Sequence, residues 1–373
     1  MRVLITVPWG QRLGGAETML QTVLDGVQET GHELELVFFE PGPWPDELIY
    51  AGFRVEVIPA GRLRQAHRWI ATVVRLASVF RRRRPDLILN WMAKTHLYGS
   101  PAAMLAGMTN RVLWWQHGIA ARHWLDRCAT ALPAIAIGCS SSASAEAQSQ
   151  LSPSRPTFVV APGVRVPSAD LGEAAAELAP RLPSDLPVIG LVGRLQPGKG
   201  QDRLLRAQAL LRERGHRVHT ILVGGDAYGL SPQYARSLPS LISQLGLADD
   251  VTMTGQVANA GPYIDRMDVL VSASDSESFG IVLLEAMARG VAVVAVDSGG
   301  PGEFIEHQQT GLLARSGEPR DLADALERLL TTPSLHRTIG DAGRDVFMKE
   351  FTDAEMCRRF FHRLASLVPD RHE

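Results

Sequence analysis

Short apolar runs rich in β-branched residues alternate along this chain with longer stretches in which apolar residues recur at helical spacing. The runs predict strands at 2–7, 33–39, 54–58, 86–91, 111–116 and 134–137, and then at 188–192, 218–223, 250–253, 269–272, 292–296 and 311–313. Residues 16–29 and 203–214 are examples of the helical stretches between them. Such alternation predicts an α/β fold with parallel sheets.

The strands fall into two series, and the stretch between the series is rich in alanine, proline and serine. We therefore predict two doubly wound domains, 1–166 and 188–350, joined by a linker at 167–187. Two such domains would meet across a cleft. Ligands of doubly wound sheets bind outside the carboxyl ends of the strands, so the residues that directly follow each strand are candidates for a ligand site.

The composition and charge of the chain exclude several classes of protein. The 373 residues carry a formal net charge of -2, so no overall basic field attracts nucleic acid. The three cysteines are scattered and odd in number, which favours a reducing compartment and no disulfide framework. No apolar run reaches the roughly 18 residues that a membrane span requires. We expect a cytoplasmic protein.

Gly14 and Gly15 follow the first predicted strand at the start of a predicted helix. Paired glycines let the backbone approach a ligand closely at such a point. Their spacing is not the Gly-x-Gly-x-x-Gly of dinucleotide-binding turns, so NAD is not indicated. A plain tight turn is the alternative interpretation.

Two histidines also stand near the ends of predicted strands. His96 follows the strand at 86–91, and His117 with Gly118 follows the strand at 111–116. Both imidazoles are therefore candidates for a ligand site, and His117 is the stronger of the two. A structural role is the alternative for each.

The loop after strand 188–192 imitates a P-loop, from Gly193 to Lys199. A P-loop requires serine or threonine after its lysine, whereas Gly200 stands here, and Pro197 lacks an N–H donor. We exclude a P-loop and interpret Arg194 and Lys199 as cations suited to a diphosphate. A pair of solvated surface charges is the alternative.

Two glutamates, Glu277 and Glu285, flank the start of an apolar helical stretch. Phe279, Gly280 and Ile281 are predicted to form its first turn, whose free N–H groups favour a phosphate or a hydroxyl. Glu285 can accept two hydrogen bonds from the vicinal hydroxyls of a ribose, and Glu277 can hold a second ring. The alternatives are a capping carboxylate at Glu277 and a buried ion pair at Glu285.

These motifs, in this order, resemble the family-4 retaining glycosyltransferases of the GT-B fold. The similarity rests on Gly-Gly-Ala-Glu at 14–17, His-Gly at 117–118, the loop at 193–200, the two glutamates, and Val-Asp-Ser-Gly-Gly-Pro-Gly-Glu-Phe-Ile at 296–305. It implies two Rossmann-like domains, with a C-terminal helix in 351–373 that packs back on the first. The first domain would bind the acceptor, and the second a nucleotide sugar.

The same resemblance implies roles for individual residues. Glu285 would hold the nucleotide ribose, Glu277 the donor sugar, and Gly15 would lie near the diphosphate. The implied catalytic residues are His117, Glu277, Arg194 and Lys199, and the implied donor-binding residues are Gly14, Gly15, Gly118, Arg194, Lys199, Glu277, Ser278, Phe279, Gly280, Ile281 and Glu285. The expected reaction is retaining transfer of a hexose, from a UDP-sugar by family frequency, to an unidentified acceptor hydroxyl.

We expect that the reaction requires neither a metal ion nor a cofactor. Arg194, Lys199 and helix N–H groups can stabilise a departing diphosphate without a metal ion. The sequence contains no Asp-x-Asp pair, and Asp275 with Glu277 is the nearest imitation. Two other functions stay open: a sugar-nucleotide epimerase of the same broad fold, and a nucleotide-sugar-binding scaffold without transfer activity.

Residues 62–84 carry apolar positions at helical spacing and end in Arg81, Arg82, Arg83 and Arg84. A helix packed on the sheet, with a basic outer face and cations at its C-terminal carbonyls, is the first interpretation. Peripheral contact with an anionic membrane, on its inner face, or with an anionic acceptor is the second.

Overall fold

The computed structural model describes residues 1–12, 14–61, 63–121, 123–167, 185–226 and 229–368. Most of the predicted linker, 168–184, and the end of the predicted C-terminal helix, 369–373, lie outside the described residues. The chain divides into two compact units, Met1–Gly163 with Asp353–Glu373, and Val164–Thr352. Phe351 thus belongs to the second unit, and the helix that starts at Asp353 belongs to the first.

A parallel sheet of seven strands forms the centre of the first unit. Its strands are β1 (Arg2–Val7), β2 (Glu33–Phe38), β3 (Arg54–Val57), β4 (Leu87–Asn90), β5 (Val112–Gln116), β6 (Ala136–Cys139) and β7 (Thr157–Val159). They lie in the order β3-β2-β1-β4-β5-β6-β7. The helices are α1 (Gly15–Gly26), α2 (Pro43–Tyr50), α3 (Ala66–Arg83), α4 (Ala93–Ala106), α5 (Trp124–Ala131) and α6 (Ser142–Ser149).

The second unit repeats the plan with a six-stranded parallel sheet. Its strands are β8 (Val188–Val192), β9 (His219–Val223), β10 (Val251–Gly255), β11 (Val269–Ser272), β12 (Ala292–Val296) and β13 (Leu312–Ala314). They lie in the order β10-β9-β8-β11-β12-β13. The helices are α7 (Gln201–Glu213), α8 (Pro232–Gln244), α9 (Gly261–Ile264), α10 (Ile281–Met287), α11 (Pro319–Thr331) and α12 (Pro333–Glu350).

Both sheets are covered on their two faces, so their strands are apolar at nearly every position. All five residues of β12 and five of the six residues of β1 are buried. This is why these strands appear in the sequence as continuous apolar runs without polar alternation. The two folds are Rossmann-like, and each sheet has a switch point beside its first strand, at β1/β4 and at β8/β11.

Helix α13 (Asp353–Ala365) packs on the core of the first unit. Its buried apolar face carries Met356, Cys357, Phe360 and Phe361. The ring centroid of Phe360 lies 5.1 Å from that of Trp115. The last helix of the chain therefore belongs physically to the unit that contains the first strand.

The arginine run at the end of α3 differs from the prediction of one exposed basic patch. The Arg83 side chain is only 7% exposed, and its guanidinium pairs with Glu35 at 2.6 Å and with Glu56 at 2.7 Å. Arg82 also pairs with Glu56, at 3.2 Å. The prediction was wrong for Arg83, because a buried cation held between two carboxylates is not available to a membrane.

The apolar stripe predicted for residues 62–84 is also shorter than expected. Helix α3 begins at Ala66, and Leu63 and Ile70 are exposed. One face of the helix is buried from Thr72 to Phe80, where the helix packs beside α4, whereas Val74 on the other face is exposed. The first part of the helix therefore presents apolar side chains to solvent.

Candidate active site

The switch point of the second sheet brings together two loops that are far apart in sequence. Strands β8 and β11 are neighbours, and the loops that follow them carry Arg194 and Lys199, and Glu277, respectively. The backbone N–H of Asp275 donates to the carbonyl of Gly198 at 3.0 Å, which ties the loops to each other. Both predicted diphosphate cations thus share one end of the sheet with the first glutamate.

Lys199 and Glu277 form an ion pair in this structure. The Lys199 Nζ lies 2.6 Å from Glu277 Oε2, and the side chains are 25% and 12% exposed. The Ser274 hydroxyl donates to the same oxygen at 3.0 Å. Among the described residues, Oε1 of Glu277 has no such donor. The backbone carbonyl of Glu277 accepts from the N–H of Gly300 at 2.9 Å, so the loop is fixed as well.

Arg194 is a cation without an acidic partner among the residues that the structure describes. Its backbone is fixed by Gln201, whose Nε2 donates to the Arg194 carbonyl at 2.8 Å. Gln201 is fully buried, and its Oε1 lies 3.2 Å from the Tyr234 hydroxyl, which donates its proton to Asp202 at 2.7 Å. The half-buried guanidinium is therefore positioned by its loop while its own N–H donors stay available.

The start of helix α10 differs from the sequence prediction. The helix begins at Ile281, and Gly280 precedes it with φ 99°, a left-handed conformation that favours glycine. Phe279 therefore lies outside the helix. Its side chain is 3% exposed and packs against Phe304 and Phe351, with ring centroids 5.0 and 6.0 Å away. Phe279 anchors the loop, and the predicted first turn was placed too early by two residues.

Glu285 lies within α10 and is half-buried. Arg289 donates to the backbone carbonyl of Glu285 at 2.8 Å, but its guanidinium pairs with Asp265 at 2.9 Å. No side chain in the described part of the chain forms an ion pair or hydrogen bond with the Glu285 carboxylate. Burial raises the pKa of Glu285, and the charge of Arg289 opposes this only in part. The buried ion-pair alternative does not describe this residue.

In the first unit, the Gly14–Gly15 turn opens helix α1 directly after β1. Gly14 is extended at the N-cap, and a Cβ added to it would lie 2.9 Å from the carboxylate of Glu17. Trp91, which follows β4, donates from its indole nitrogen to the carbonyl of Ala16 at 3.0 Å. The turn is therefore fixed to the neighbouring strand end at the switch point.

His117 occupies the same edge of that sheet, directly after β5. Its ring centroid lies 4.8 Å from that of Trp91, and its Nδ1 lies 3.2 Å from the hydroxyl of Ser140. The buried Nε2 has no hydrogen-bond partner in the described structure. Burial lowers the pKa of His117 to about 3, and the backbone of Trp91 offsets only part of this effect. The imidazole is neutral at pH 7, and Gly118 beside it is exposed.

His96 serves the core. It is fully buried and stacks on Trp114 with ring centroids 4.9 Å apart. Its Nδ1 lies 3.2 Å from the side-chain amide nitrogen of Asn90. Full burial and the stacking on Trp114 favour the structural alternative for His96, although its buried Nε2, like that of His117, has no hydrogen-bond partner in the described structure. Burial lowers the pKa of His96 to about 3.

Three residues that support the site were missed by the sequence analysis: Ser140, Ser274 and Gln201. Each supports a candidate residue through a side-chain hydrogen bond. Ser140 follows β6 immediately, and Ser274 comes two positions after β11. Their position at the carboxyl end of a strand is the signal that predicts a place near the site. Gln201 lies inside the start of a helix, and its sequence position carries no comparable signal.

Neither a membrane-spanning helix nor a metal cluster is found in the described ranges. None of the described helices is long and apolar enough to cross a bilayer. The same part of the chain contains no group of three or more histidine, cysteine, aspartate or glutamate side chains with the geometry of a metal site.

Comparison with known families yields two matches, one for each half of the chain. Residues 13–166 match the family described as Glycosyltransferase Family 4. Residues 177–346 match the family described as Glycosyl transferases group 1. The two matches together span the first strand-end turn, the two cations and both glutamates.

Curated relatives resemble about half of the chain. A D-inositol 3-phosphate glycosyltransferase from Saccharomonospora viridis is 36% identical over 193 residues, which are 50% of this chain and 44% of the relative. A GDP-mannose-dependent alpha-(1-6)-phosphatidylinositol monomannoside mannosyltransferase from Mycobacterium tuberculosis is 35% identical over 182 residues, 46% of each chain. The matched region spans less than half the length of either relative.

Solved structures match over nearly the whole chain. HepE from Anabaena, crystallised with UDP, is 25% identical with a TM-score of 0.83, covering 98% of this chain and 100% of HepE. HepE was also crystallised with UDP-glucose, and that structure gives the same TM-score of 0.83. A sucrose-phosphate synthase from Thermosynechococcus elongatus, 20% identical with a TM-score of 0.80 and 98% of each chain covered, shares the fold.

Proposed function

We propose, on the premise that this chain belongs to the family-4 glycosyltransferases with the GT-B fold, that it transfers a hexose from a nucleoside diphosphate sugar to an acceptor hydroxyl. We further propose a UDP-sugar donor, retention of the anomeric configuration and independence from metal. The observation that carries the proposal is the grouping of Arg194, Lys199, Glu277 and Glu285 at the switch point of the second sheet and on the helix that follows.

Glu285 is proposed to hold the ribose. An unpaired, half-buried carboxylate is unfavourable in the free protein, and two ribose hydroxyls would supply the donors that it lacks. Arg194 is proposed to bind the diphosphate, because its guanidinium has five donors and no acidic partner in the described chain. These two residues would give the free protein an anion site on the loop after β8 and a diol site on helix α10.

Lys199 and Glu277 are proposed to change partners when the donor binds. A diphosphate brings more negative charge to Lys199 than one carboxylate does, so it competes for the ammonium. Glu277 would then turn its free acceptor capacity towards hydroxyls of the sugar. During transfer the charge of the leaving diphosphate increases, and Arg194 and Lys199 stabilise it without a metal ion.

The first unit is proposed to contribute the Gly14–Gly15 turn and His117. The turn offers backbone near the diphosphate, and the neutral imidazole of His117 offers a hydrogen bond to the sugar. Gly118 leaves space beside it, since a Cβ at that position would meet no atom within 4 Å. Acceptor binding is assigned to the same unit.

Two donor nucleotides have support. UDP is favoured by HepE, which resembles this chain over 98% of its length. GDP-mannose is the second candidate, because a relative that carries this donor in its name is 35% identical over 46% of the chain. A thermal-shift screen with UDP, GDP, ADP and their sugars separates them, since the ligand of the folded state raises the melting temperature.

Activity is tested by following hydrolysis of the stabilising sugar nucleotide without acceptor, in EDTA. Slow release of free sugar with the α configuration retained is expected. Binding without any turnover, even with candidate acceptors present, would favour the scaffold. Conversion to an epimeric sugar nucleotide would favour the epimerase. Activity that vanishes in EDTA and returns with magnesium would contradict metal independence.

Peripheral membrane contact is proposed to use Arg81, Arg82 and Arg84 at the end of α3, together with the exposed Ile70 and Val74 earlier on the same helix. Apolar side chains among cations suit an anionic lipid surface. Binding to vesicles containing phosphatidylserine should weaken in Arg82→Ala/Arg84→Ala protein and persist in Arg320→Ala, an exposed arginine of the second unit. Equal binding by all three proteins would contradict this contact.

A further inference from the structure

Ser140 lies between two aromatic side chains at the carboxyl edge of the first sheet. Its hydroxyl is 3.2 Å from the indole Nε1 of Trp115 and 3.2 Å from Nδ1 of His117. The thioether of Met19 lies 3.8 Å away, and Ser140 itself is 3% exposed. The hydroxyl thus contacts one obligate donor, one thioether acceptor, and one imidazole nitrogen that donates or accepts according to its tautomer.

The direction of these hydrogen bonds follows from the chemistry of the partners. An indole N–H can only donate, so the oxygen of Ser140 must accept from Trp115. The single proton of the hydroxyl is then free to go to His117 or to Met19. An imidazole nitrogen at 3.2 Å is a stronger acceptor than a thioether sulfur at 3.8 Å.

We propose that Ser140 is a positioning residue that fixes the tautomer of His117. The chain of donors runs from Trp115 to Ser140 and from Ser140 to Nδ1 of His117, which leaves the ring proton on Nε2. That nitrogen is buried and has no hydrogen-bond partner within 3.5 Å in the described structure, although the backbone of Trp91 lies close enough to the ring to raise its pKa, so the Nε2–H group is a donor that a ligand can still use. Under the proposed function, on which this role rests, the Nε2–H group donates to a hydroxyl of the donor sugar.

Nitrogen NMR of protein labelled with ¹⁵N in its histidine rings reads the tautomer directly, because protonated and bare ring nitrogens resonate far apart. In the ligand-free protein we expect His117 to show a bare Nδ1 and a protonated Nε2, with the assignment made from His117→Gln. In Ser140→Ala protein the Nδ1 resonance should shift towards that of a nitrogen without a hydrogen bond, or the ring should become a mixture of tautomers.

Two controls separate this role from a general loss of structure. Ser141→Ala removes the N-cap of α6, whose hydroxyl accepts from the N–H of Ser144 at 3.0 Å, without touching His117. It should lower the melting temperature and leave the His117 resonances in place. His96, whose Nδ1 faces Asn90, is an internal control and should be unchanged in both variants.

The affinity for ligands is a second measurement that tests the role of Ser140. UDP-glucose should bind Ser140→Ala protein about threefold to tenfold more weakly, the range of one neutral hydrogen bond, and UDP should bind as it does to the wild type. If GDP is the nucleotide that stabilises the protein, GDP-mannose and GDP replace this pair. Ser141→Ala should bind both ligands like the wild type.

The outcomes test separately the tautomer of His117 and its proposed hydrogen bond to the donor sugar. A His117 ring with its proton on Nδ1, or a Ser140→Ala spectrum identical to the wild type at His117, would overturn the inference about Ser140. A shifted Nδ1 resonance together with unchanged UDP-glucose affinity would overturn the proposed sugar role of the tautomer. If neither nucleotide sugar binds the wild type, the proposed function fails, while the NMR result still decides the tautomer.

Discussion

Glu277 and Glu285, eight positions apart in sequence, meet opposite environments in the ligand-free protein. Glu277 pairs through its Oε2 with Lys199 and Ser274, whereas Glu285 has no partner for its carboxylate among the described residues. An ion pair that is partly exposed is worth little in stability, and an unpaired carboxylate in a site of raised pKa is destabilising. The two residues should therefore respond differently to neutralisation.

Glu285→Gln should stabilise the free protein and weaken nucleotide binding. The folded state no longer carries an unpaired charge, so the ligand-free melting temperature should rise. One charge-assisted hydrogen bond contributes about 1.5–3 kcal/mol, so the Kd for UDP should increase roughly tenfold to a hundredfold. Thermal melts and calorimetric titration test both parts. A lower melting temperature with unchanged affinity would mean that Glu285 is only a structural residue.

Glu277→Gln should leave UDP binding unchanged or slightly tighter, because Lys199 loses its competing carboxylate. UDP-glucose turnover should fall, since the sugar loses a contact of the transition state. Parallel titrations with UDP and UDP-glucose, and initial rates, measure the difference. Equal weakening of both ligands in both glutamate variants would show that the two roles are assigned wrongly.

Two buried histidines should make the folded state sensitive to acid. Burial lowers the pKa of His96 and of His117 to about 3, whereas an unfolded histidine titrates near ~6.5. Between these values the unfolded chain binds more protons, so stability is full above about pH 6.5 and is lost as the pH falls. Glu285, with its pKa raised, contributes with the opposite sign as the pH rises above ~4.5.

The histidine effect is measured as the slope of unfolding free energy against pH between about pH 7 and 5 in denaturant titrations. The slope should be smaller in His96→Gln protein, whatever its absolute stability. An unchanged slope in His96→Gln would show that this imidazole does not titrate as its burial predicts.

At the scale of elements, helix α10 and the turn before it hold Glu285 in place. The helix has only seven residues, so its geometry depends on the loop that precedes it. That loop is anchored by the Phe279 ring against Phe304 and Phe351 and turned by the left-handed Gly280. Any change in the turn should therefore reach the carboxylate.

Gly280→Ala should reduce both stability and nucleotide affinity. A left-handed alanine costs about 1–2 kcal/mol, and the new Cβ would lie 2.9 Å from Leu283 Cδ1. Gly215→Ala is the matched control: Gly215 has φ 90°, follows α7 and has open space around it. Both variants should unfold at lower denaturant concentration, but only Gly280→Ala should bind UDP more weakly. If the two variants bound UDP with equal affinity, the conformation of the Gly280 turn would have no influence on the nucleotide site.

The sequence predicted the strands better than the loops, for a physical reason. Strands β8, β11 and β12 have the predicted bounds, because strands buried on both faces require uninterrupted apolar residues. The start of α10 was missed because it depends on the dihedral angle of Gly280. The Lys199–Glu277 pair and the Ser140–His117 contact were missed because they form only when separate strand ends become neighbours.

For the molecule as a whole, the candidate site residues are distributed over both units. The second unit contains both cations and both glutamates, and the first contains the Gly14–Gly15 turn and His117. Helix α13 ties the end of the chain to the first unit, so the first unit is built from two pieces of sequence, whereas the second, Val164–Thr352, is one continuous piece. Truncation before Asp353 would remove Phe360 and uncover Trp115 in the first core, and it is therefore a poor way to test the units separately.

The central claim is that a nucleoside diphosphate sugar binds at Arg194 without metal. Calorimetric titration of UDP-glucose in EDTA, into wild-type, Arg194→Ala and Arg320→Ala proteins, tests it most directly. We expect wild-type and Arg320→Ala proteins to bind alike. Arg194→Ala should bind roughly tenfold to a hundredfold more weakly, because it loses charge-assisted hydrogen bonds to the diphosphate. Equal affinity in all three proteins, or binding to the wild type only after a divalent metal is added, would contradict the claim.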